Sequence, residues 1–210
     1  MNTNHMIFFI EGNIGSGKST LIERMAMDLK QKTKAEIYAY PEPLDIWTGI
    51  KHENKNLLEL LYDNPQQYAQ QFQTLVLITM QARYTDFMEK CINSDVQCIG
   101  LFERSHRSQK IFQKQLLIQG CLSQLDMDIY NTIHIPRFIH TVHIYLQLDP
   151  EICYDRIINK RKRPEENTIE LKYLQDLHEL HEAEFSKDED IIINNNFLSV
   201  QIKDANLIPL

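Results

Sequence analysis

The chain has 210 residues, of which 43% are hydrophobic and 24% are charged. These values are typical of a soluble globular protein, and we expect a single domain spanning residues 1–210. The formal net charge of −7 argues against a nucleic-acid partner, and no segment approaches the ~20 apolar residues of a membrane span. The N-terminal sequence MNTNHM lacks the pattern of a signal peptide, which predicts a cytoplasmic protein.

Strand and helix patterns alternate along the chain. Apolar runs typical of buried strands predict strands at 6–10, 36–40, 97–102 and 141–148, and a last strand is predicted at 199–202. Helical periodicity covers 18–32 and 171–185 and also runs from Pro65 to about Met88, while Asp149-Pro150 predicts the N-cap and first residue of another helix. This alternation predicts an α/β fold with a parallel five-stranded sheet flanked by helices, and ligands at the carboxyl ends of its strands.

The cysteines and one histidine pair raise the question of metal or disulfide sites. The four cysteines are scattered without a CxxC pair, which favours reduced packing residues: Cys91, Cys98, Cys121 and Cys153. His178 and His181 have HxxH spacing with no evident third ligand, so we interpret them as helix-surface histidines rather than zinc ligands.

The stretch FIEGNIGSGKST (9–20) contains the pattern G-x-x-x-x-G-K-[ST] between a predicted strand and a predicted helix. Lys18 would lie near the transferred phosphate, and Ser19 would offer its hydroxyl to Mg²⁺. The pattern predicts a bound ATP or GTP held by Gly12, Asn13, Ile14, Gly15, Ser16, Gly17, Lys18, Ser19 and Thr20. No guanine-reading NKxD is present and the chain is small and acidic, which favours a small-molecule kinase over a GTPase or a DNA motor.

Two further stretches at the ligand edge suggest an acceptor site. Glu42 in PEP (41–43) would accept the proton of an attacking hydroxyl, with Trp47 nearby; a capping Glu and a core Trp are the alternative. Glu103 in LFERSHRS (101–108) would hold Mg²⁺ through water, and Arg104 would pin Glu42 or a substrate oxygen. A surface ion pair is the alternative for these two residues.

The helix after Pro65 carries one polar residue beside an apolar face. Phe72, Val76 and Met80 share that face at i, i+4 and i+8, and Gln73 stands beside them. An amide at the border of an apolar face suits a planar heterocycle, which needs wall contacts and a paired donor and acceptor. An exposed glutamine is the alternative.

The segment RIINKRKRPEE (156–166) is strongly basic. A solvated face or a nuclear-localisation patch is the ordinary interpretation of such a run. In a P-loop kinase, the same composition suits a lid of arginines that folds over the phosphates. Glu165 and Glu166 are unusual in a nucleic-acid patch and fit a lid in which one of them binds a sugar hydroxyl.

Taken in order, these motifs resemble the deoxynucleoside kinases, the family of deoxycytidine, deoxyguanosine and mitochondrial-type thymidine kinases and the broad-specificity insect enzyme. The motifs are FIEGNIGSGKST, PEP with a nearby Trp, LLYDNPQQYAQQFQT, FERS, an Arg-rich segment ending in EE, and LKYLQDLHELHE. The resemblance covers nearly the whole chain. It implies a P-loop kinase fold with an Arg-rich lid at about 157–167, a homodimer formed through helices beside the pocket, and ATP and Mg²⁺ as cofactors.

The resemblance also implies roles for individual residues. Glu42 would be the general base on the 5′-hydroxyl of a deoxynucleoside, and Glu103 and Arg104 would serve Mg²⁺ and the 5′ end. Tyr62 and Glu166 would hold the 3′-hydroxyl, which favours 2′-deoxyribose. The other implied contacts are Gln73 with the nucleobase, Trp47, Phe72 and Phe112 as pocket residues, Arg161 and Arg163 in the lid, Arg156 near the phosphates, and Asp204-Ala205-Asn206 beside adenine.

The sequence departs from the family pattern at three places. Arg107 stands where the family usually has Tyr, and the lid is one residue longer and contains Pro164. After Gln109 the register is ambiguous, and Phe112 matches the pocket Phe if one residue is deleted. These departures bear on lid geometry and on base choice more than on the reaction.

The resemblance also bears on base preference, through the positions of Met80 and Gln109. Deoxycytidine-preferring members carry Arg and Asp at the positions of Met80 and Gln109, while thymidine-accepting members carry Met and a small residue. Val76 and Met80 are uncharged and leave room for a thymine methyl, whereas Gln109 fits neither pattern. We therefore predict ATP-dependent phosphorylation of a deoxynucleoside, thymidine first, for dNTP salvage. A nucleoside monophosphate kinase resembling thymidylate kinases is the alternative.

Overall fold

The computed structural model describes residues 5–132, 140–186 and 190–194. The strands are β1 (Met6–Gly12), β2 (Glu36–Tyr40), β3 (Lys51–His52), β4 (Lys55–Asn56), β5 (Cys98–Glu103), β6 (His140–Gln147) and β7 (Ile191–Asn194). The α-helices are α1 (Lys18–Lys32), α2 (Leu44–Gly49), α3 (Leu57–Asp63), α4 (Pro65–Ile92), α5 (His106–Ile118), α6 (Gln124–Asn131), α7 (Pro150–Asp155) and α8 (Leu171–Glu184). A π-helical segment, Arg156–Arg161, and a 3₁₀ turn, Pro164–Glu166, connect α7 to α8.

Strand β1 lies at the centre of a five-stranded sheet with the order β2-β5-β1-β6-β7. All four pairings are parallel, as predicted from the alternation of strands and helices. Every residue of β1 and β5 is buried, because helices cover both faces of the sheet. The carboxyl ends of β1, β2 and β5 therefore meet at one edge.

Apolar side chains from the helices fill both faces of the sheet. On one face, Leu21 and Leu29 of α1 pack in the same cluster as Phe8 of β1. On the other, Phe87 of α4 packs edge-on against Phe102 of β5, with 5.7 Å between the ring centroids. Burying one such side chain stabilises a fold by about 1.5–3 kcal/mol, so these two layers fix the sheet that carries the site.

Several predicted elements are corrected in detail. Helix α4 continues beyond the predicted end near Met88 to Ile92. The fifth strand of the main sheet is β7, which the sequence patterns missed. The strand predicted at 199–202 lies outside the described residues. Asp149 is the N-cap of α7, but its side chain makes no capping hydrogen bond.

The interpretation of His181 as a surface residue was wrong. Its side chain is fully buried, and Nδ1 donates a hydrogen bond to the Leu177 carbonyl oxygen at 2.6 Å. Burial lowers the pKa of His181 to about 3, so the ring is neutral and packs as a core side chain beside Phe185.

Candidate active site

The loop that follows β1 needs glycine at three positions. Gly12, Gly15 and Gly17 have φ values of 141°, 80° and 103°, a region that other residues rarely adopt. A Cβ atom on Gly12 would lie 2.8 Å from the Leu146 carbonyl oxygen, and one on Gly15 would lie 2.8 Å from the Cys153 carbonyl oxygen. The loop is thus pressed against β6 and α7, and its backbone can curl only without side chains at these points.

Three polar side chains meet where the loop enters α1. Lys18 is 4% exposed and donates to the Asn13 carbonyl oxygen at 2.9 Å, and its Nζ lies 3.7 Å from Glu103 Oε1. Ser19 Oγ donates to Glu103 Oε2 at 2.9 Å. Burial, and then the charge of Arg104, lower the pKa of Lys18 to about 8. A hydroxyl and a carboxylate oxygen in contact are hard ligands of the kind that Mg²⁺ prefers, so Ser19 and Glu103 fit the ion predicted for them.

Asn13 and Ile14 support the loop rather than face a phosphate with their side chains. Asn13 Nδ2 donates to the Leu174 carbonyl oxygen of α8 at 2.8 Å, and its Oδ1 accepts from the Ile14 N–H at 2.9 Å. Arg156 approaches the other side of the loop and donates to the Ser16 carbonyl oxygen at 3.1 Å. The loop is therefore anchored on two sides.

Two cavities adjoin this loop. The loop cavity is lined by Gly15, Gly17, Lys18, Ser19, Thr20, Arg24, Glu103, Arg156, Lys160, Arg161 and Arg163, among others. The inner cavity is lined by all the residues predicted to bind the acceptor: Glu42, Trp47, Tyr62, Phe72, Gln73, Val76, Met80, Arg104, Gln109, Phe112 and Glu166. Lys18, Glu103 and Arg161 line both cavities, so the two open toward each other at these side chains.

Glu42 and Arg104, which both line the inner cavity, form a largely buried ion pair. Arg104 Nε donates to Glu42 Oε1 at 2.5 Å, and its NH1 donates to the Gly12 carbonyl oxygen at 2.7 Å. Burial raises the pKa of the Glu42 carboxyl, but the charges of Arg104 and Lys18 outweigh it and hold that pKa below its usual value. Glu42 is therefore a carboxylate at neutral pH and acts as an acceptor of hydrogen bonds or protons. It does not cap α2, whose N-cap is Pro43.

The apolar walls of the inner cavity come from α2 and α4. Trp47 packs edge-on against Phe72 with 5.4 Å between ring centroids, and its Nε1 donates to Thr79 Oγ1 at 3.1 Å. Gln73 is 3% exposed rather than a surface residue, and its Oε1 has no hydrogen-bond partner in the described part of the chain. An unpaired buried oxygen costs about 1–3 kcal/mol, which a ligand donor would offset.

Sequence reasoning did not single out His106, which contacts Gln109, or Arg83, which lines the inner cavity. His106 Nδ1 donates to Gln109 Oε1 at 3.2 Å, which leaves Gln109 Nε2 without a partner among the described residues. Arg83 NH1 donates to the Pro41 carbonyl oxygen at 2.7 Å, and its guanidinium also lines the inner cavity. Burial lowers the pKa of His106 to about 4, so its ring is neutral at pH 7.

Glu166 closes the inner cavity on the side of the π-helical segment. It is 4% exposed, and its Oε1 lies 3.1 Å from Arg161 NH2 and 3.8 Å from Arg163 NH1. Its Oε2 has no partner within residues 5–132, 140–186 and 190–194. Burial raises the pKa of Glu166, although both arginines oppose this. Tyr62, which lines the same cavity, packs edge-on against Tyr173.

The chain is similar to known proteins of one family. The sequence model of the deoxynucleoside kinase family matches residues 8–208. The chain belongs to the deoxynucleoside kinase family. It is 28% identical to a mitochondrial deoxyguanosine kinase of Xenopus laevis over 94% of this chain and 80% of that protein. It is 31% identical to deoxycytidine kinase 2 of Gallus gallus, covering 83% and 71%, and 32% identical to a thymidine kinase of Ictalurid herpesvirus 1, covering 89% and 77%.

Membership of this family makes the protein a kinase that phosphorylates a nucleoside, with the P-loop fold that the sequence predicted. The relatives are named for three different nucleosides, and their names do not determine the base that this kinase prefers. None of the helices in the described part combines the length and apolar character that a bilayer crossing requires.

A buried carboxylate beneath the loop of this kinase was missed by sequence reasoning. Glu11 is 0% exposed; its Oε2 accepts from the Ser105 N–H at 3.3 Å and from Ser108 Oγ, and its Oε1 accepts from His143 Nδ1 at 3.0 Å. A signal was present, because a charged residue inside an otherwise apolar strand must be paired when the strand is buried.

The predicted lid segment has an unusual backbone. Arg156–Arg161 is π-helical, and Lys162 follows with a φ of 49°. Pro164 begins the 3₁₀ turn Pro164–Glu166. Asp204, predicted beside adenine, lies outside the described residues.

Proposed function

We propose that this kinase transfers the γ-phosphate of ATP to the 5′-hydroxyl of a pyrimidine deoxynucleoside, thymidine first, as a step of dNTP salvage. The observation that carries the proposal is the junction of the two cavities at Lys18, Glu103 and Arg161. A triphosphate in the loop cavity and a hydroxyl beside Glu42 would meet at these three side chains. In phosphoryl transfer most of the catalysis is such positioning and charge stabilisation.

On the acceptor side, Glu42 would orient the 5′-hydroxyl and take its proton. With its pKa held below the usual value, Glu42 is a weak base, which suits a loose transition state in which the proton leaves late. Arg104 would hold Glu42 and face the 5′ oxygen. Tyr62 and Glu166 would bind the 3′-hydroxyl, and the unpaired Glu166 Oε2 is available as an acceptor for it.

On the donor side, the loop Gly12–Thr20 would surround the phosphates, with Lys18 near the transferred group. Mg²⁺ would be held by Ser19 and Glu103, and it would supply charge neutralisation to the phosphates. Arg161 and Arg163 would form the lid over about 157–167. Arg161 would have to leave Glu166 at least in part to reach a phosphate, since it contacts that carboxylate at 3.1 Å. The whole chain, 1–210, would form a single kinase domain.

Base choice would be made by Gln73, Val76, Met80 and Gln109. The uncharged Val76 and Met80 leave space for a methyl group. Because Gln109 Oε1 is engaged by His106, its Nε2 is the free group, and a donor at this position suits the 4-oxo group of thymine better than the 4-amino group of cytosine. These contacts favour thymidine while allowing other pyrimidine deoxynucleosides.

A nucleoside monophosphate kinase is the competing function, and the charges of the inner cavity disfavour it. An acceptor phosphate would need free cations there. Arg104 is committed to Glu42 and Gly12, and Arg161 to Glu166. Of the arginines that line the cavity, this leaves only Arg83, which donates to the Pro41 carbonyl oxygen and has no carboxylate partner among the described residues, for an acceptor phosphate. A hydroxyl acceptor needs none of these to be released, apart from movement of the lid.

Two broader properties are proposed with the reaction. The exposed Ile78 of α4 and Leu125 of α6, at 59% and 68% exposure, suit a homodimer formed through helices beside the pocket. Light scattering after gel filtration would test this, and a monomer at micromolar concentration would overturn it. Cytoplasmic location stays a prediction from the N-terminal sequence, since the Xenopus relative is named a mitochondrial enzyme.

The deciding experiment supplies labelled ATP and Mg²⁺ with each deoxynucleoside and, separately, each deoxynucleoside monophosphate. Label transferred to nucleosides, thymidine most efficiently, is expected; label on monophosphates alone would overturn the proposal. Glu42→Gln should lower kcat by about 100-fold or more, while ATP binding is retained. Glu23→Gln, an exposed carboxylate on α1, is the matched control and should change neither.

A further inference from the structure

A cluster of metal-binding side chains lies at the end of the sheet opposite the phosphate loop. One ligand atom each from His5, Cys91 and Cys98 lies within 4.8 Å of the other two. His5 precedes β1 and Cys98 begins β5, whose register pairs Met6 with Ile99, so these residues are neighbours across the sheet. Rising about 3.3 Å per residue, β1 separates the cluster from Gly12 by roughly 20 Å.

The third member comes from a distant point of the chain. Cys91 stands in the last turn of α4 and is 5% exposed, while Cys98 is 0% exposed. The two thiols lie close enough to hydrogen-bond, and burial followed by the charge of Cys98 raises the pKa of Cys91 to about 12.

The imidazole is held in the form that a metal ion requires. The Cys98 N–H donates to His5 Nδ1 at 3.1 Å, so this nitrogen carries an unprotonated lone pair directed at Cys98. A metal ion can take over that lone pair, leaving the Cys98 N–H to donate to a thiolate sulfur.

A candidate fourth ligand, Glu36, lies on β2 beside Cys98. Glu36 Oε2 lies 3.8 Å from Cys98 Sγ and accepts a hydrogen bond from Tyr38 Oη at 2.9 Å. A ligating carboxylate is commonly oriented by such a second hydrogen bond. This carboxylate lies outside the group of ligand atoms that are within 4.8 Å of one another, so Glu36, which is exposed, would have to turn toward the ion to complete four ligands.

This ligand set suits zinc. With Zn–S near 2.3 Å and Zn–N near 2.0 Å, tetrahedral ligand atoms lie about 3.3–3.8 Å apart. The ligand atoms of His5, Cys91 and Cys98, now within 4.8 Å of one another, would therefore approach by up to about 1.5 Å. Two thiolates neutralise the 2+ charge, which makes the ion tolerable at a largely buried position. Mg²⁺ is a poor match, because it prefers oxygen ligands throughout.

We propose that His5, Glu36, Cys91 and Cys98 form a structural zinc site that ties β1, β2, β5 and α4 together. Binding of Zn²⁺ releases the two thiol protons and forms two Zn–S bonds, with no change of oxidation state. For Cys91 and Cys98, this replaces the role of packing residues expected from the sequence. The site is independent of the phosphoryl-transfer reaction.

The test is metal binding by the full-length, reduced protein after chelation. Co²⁺ should bind once per chain with thiolate-to-metal charge-transfer absorption, and Zn²⁺ should displace it. The absorption should be lost in Cys91→Ser and Cys98→Ser and kept in Cys121→Ser, a thiol outside the cluster. Tyr38→Phe should weaken Zn²⁺ binding about tenfold or more, since it removes the hydrogen bond to the ligating carboxylate. Zinc at 100 times its Kd should raise Tm by about 5 °C or more.

Three results would overturn the site. The first is no charge-transfer absorption in the wild type, and the second is absorption that survives in both cysteine variants. The third is a protein isolated with a Cys91–Cys98 disulfide that binds no metal once the disulfide has been reduced. Circular dichroism of the metal-free variants controls for misfolding. If a cysteine variant fails to fold, His5→Ala and Tyr38→Phe decide the question, because both side chains are partly exposed. Unchanged zinc affinity in these two would equally overturn the proposal.

Discussion

Glu11 is the residue through which the stability and the catalytic geometry of this kinase can be tested together. Its carboxylate receives hydrogen bonds from the Ser105 N–H, Ser108 Oγ and His143 Nδ1 with no solvent exposure. Glu11→Gln keeps the shape but removes the charge and replaces one acceptor oxygen with an NH₂ group. That group either faces the Ser105 N–H or requires the His143 ring to change tautomer. A hydrogen bond to a charged group contributes about 1.5–3 kcal/mol, and we expect a total loss of about 2–4 kcal/mol.

The assay is urea unfolding followed by fluorescence of Trp47, the only tryptophan, which is 6% exposed. For a domain of this size, the loss corresponds to a fall in Tm of about 5–15 °C. Because Ser105 follows Arg104 directly, kcat/KM for the nucleoside should fall as well, while Glu23→Gln should change stability by no more than about 0.5 kcal/mol.

The pH dependence of the stability difference has a definite sign. Burial raises the pKa of Glu11, but the hydrogen bond and charge of His143 outweigh it, so the folded-state pKa lies below the usual value. The stabilisation is therefore complete above about pH 4.5 and is lost as pH falls through the lower, folded-state pKa. The difference in unfolding free energy between the wild type and Glu11→Gln should therefore decrease as pH falls below about 4.5.

The reasoning fails if Glu11→Gln unfolds at the same urea concentration as Glu23→Gln. It also fails if the difference in unfolding free energy increases on acidification, since that would require the pKa of Glu11 to be raised rather than lowered in the folded state. The double-mutant cycle with Ser108→Ala should give a coupling of about 0.5–3 kcal/mol, and additivity would show that the two side chains do not act as one network.

Three further predictions concern the nucleotide sites. Gly15→Ala should destabilise the protein by about 1–3 kcal/mol and weaken ATP binding, because φ is 80° and the new Cβ would lie 2.8 Å from the Cys153 carbonyl oxygen. Gly49→Ala is the control, since a Cβ there would have no neighbour within 4 Å. Equal unfolding midpoints for the two variants would contradict the prediction. Ser19→Ala should raise the Mg²⁺ concentration needed for half-maximal rate about tenfold, and an unchanged requirement would remove its role as a ligand. Met80→Arg should reduce kcat/KM for thymidine relative to deoxycytidine, and an unchanged ratio would discard the argument for base choice.

The parts of this fold that the sequence predicted are those with local causes. The helix predicted at 18–32 has the observed bounds of α1, because apolar periodicity and the preceding glycines act within one segment. Strand β7 was missed because its pairing with β6 joins residues far apart in the chain. The periodicity of β7 alone, in four residues, does not distinguish a strand from a loop.

The residues of the candidate site also fall into two groups: those with a local signal in the sequence were predicted, and those that depend on distant contacts were missed. Gln73 was singled out from its place beside an apolar face, and the structure buries it there. Arg83 was missed because its place in the cavity follows from a contact with the Pro41 carbonyl oxygen, 42 residues away in the chain. The Cys91–Cys98 contact was missed for a related reason: a buried pair across a six-residue connection has no recognised metal-binding spacing.

Arg104 explains how the donor and acceptor halves of the site keep their relative position. Its φ of 65° is costly for a residue with a side chain, by about 1 kcal/mol or more. That cost is offset because this backbone lets the Arg104 N–H donate to the Ile10 carbonyl oxygen at 3.0 Å while the guanidinium reaches both Gly12 and Glu42. One side chain thus connects the first glycine of the phosphate loop to the carboxylate of the acceptor cavity. A relaxed backbone at Arg104 would break this connection, so the strain is a condition of the alignment that phosphoryl transfer needs.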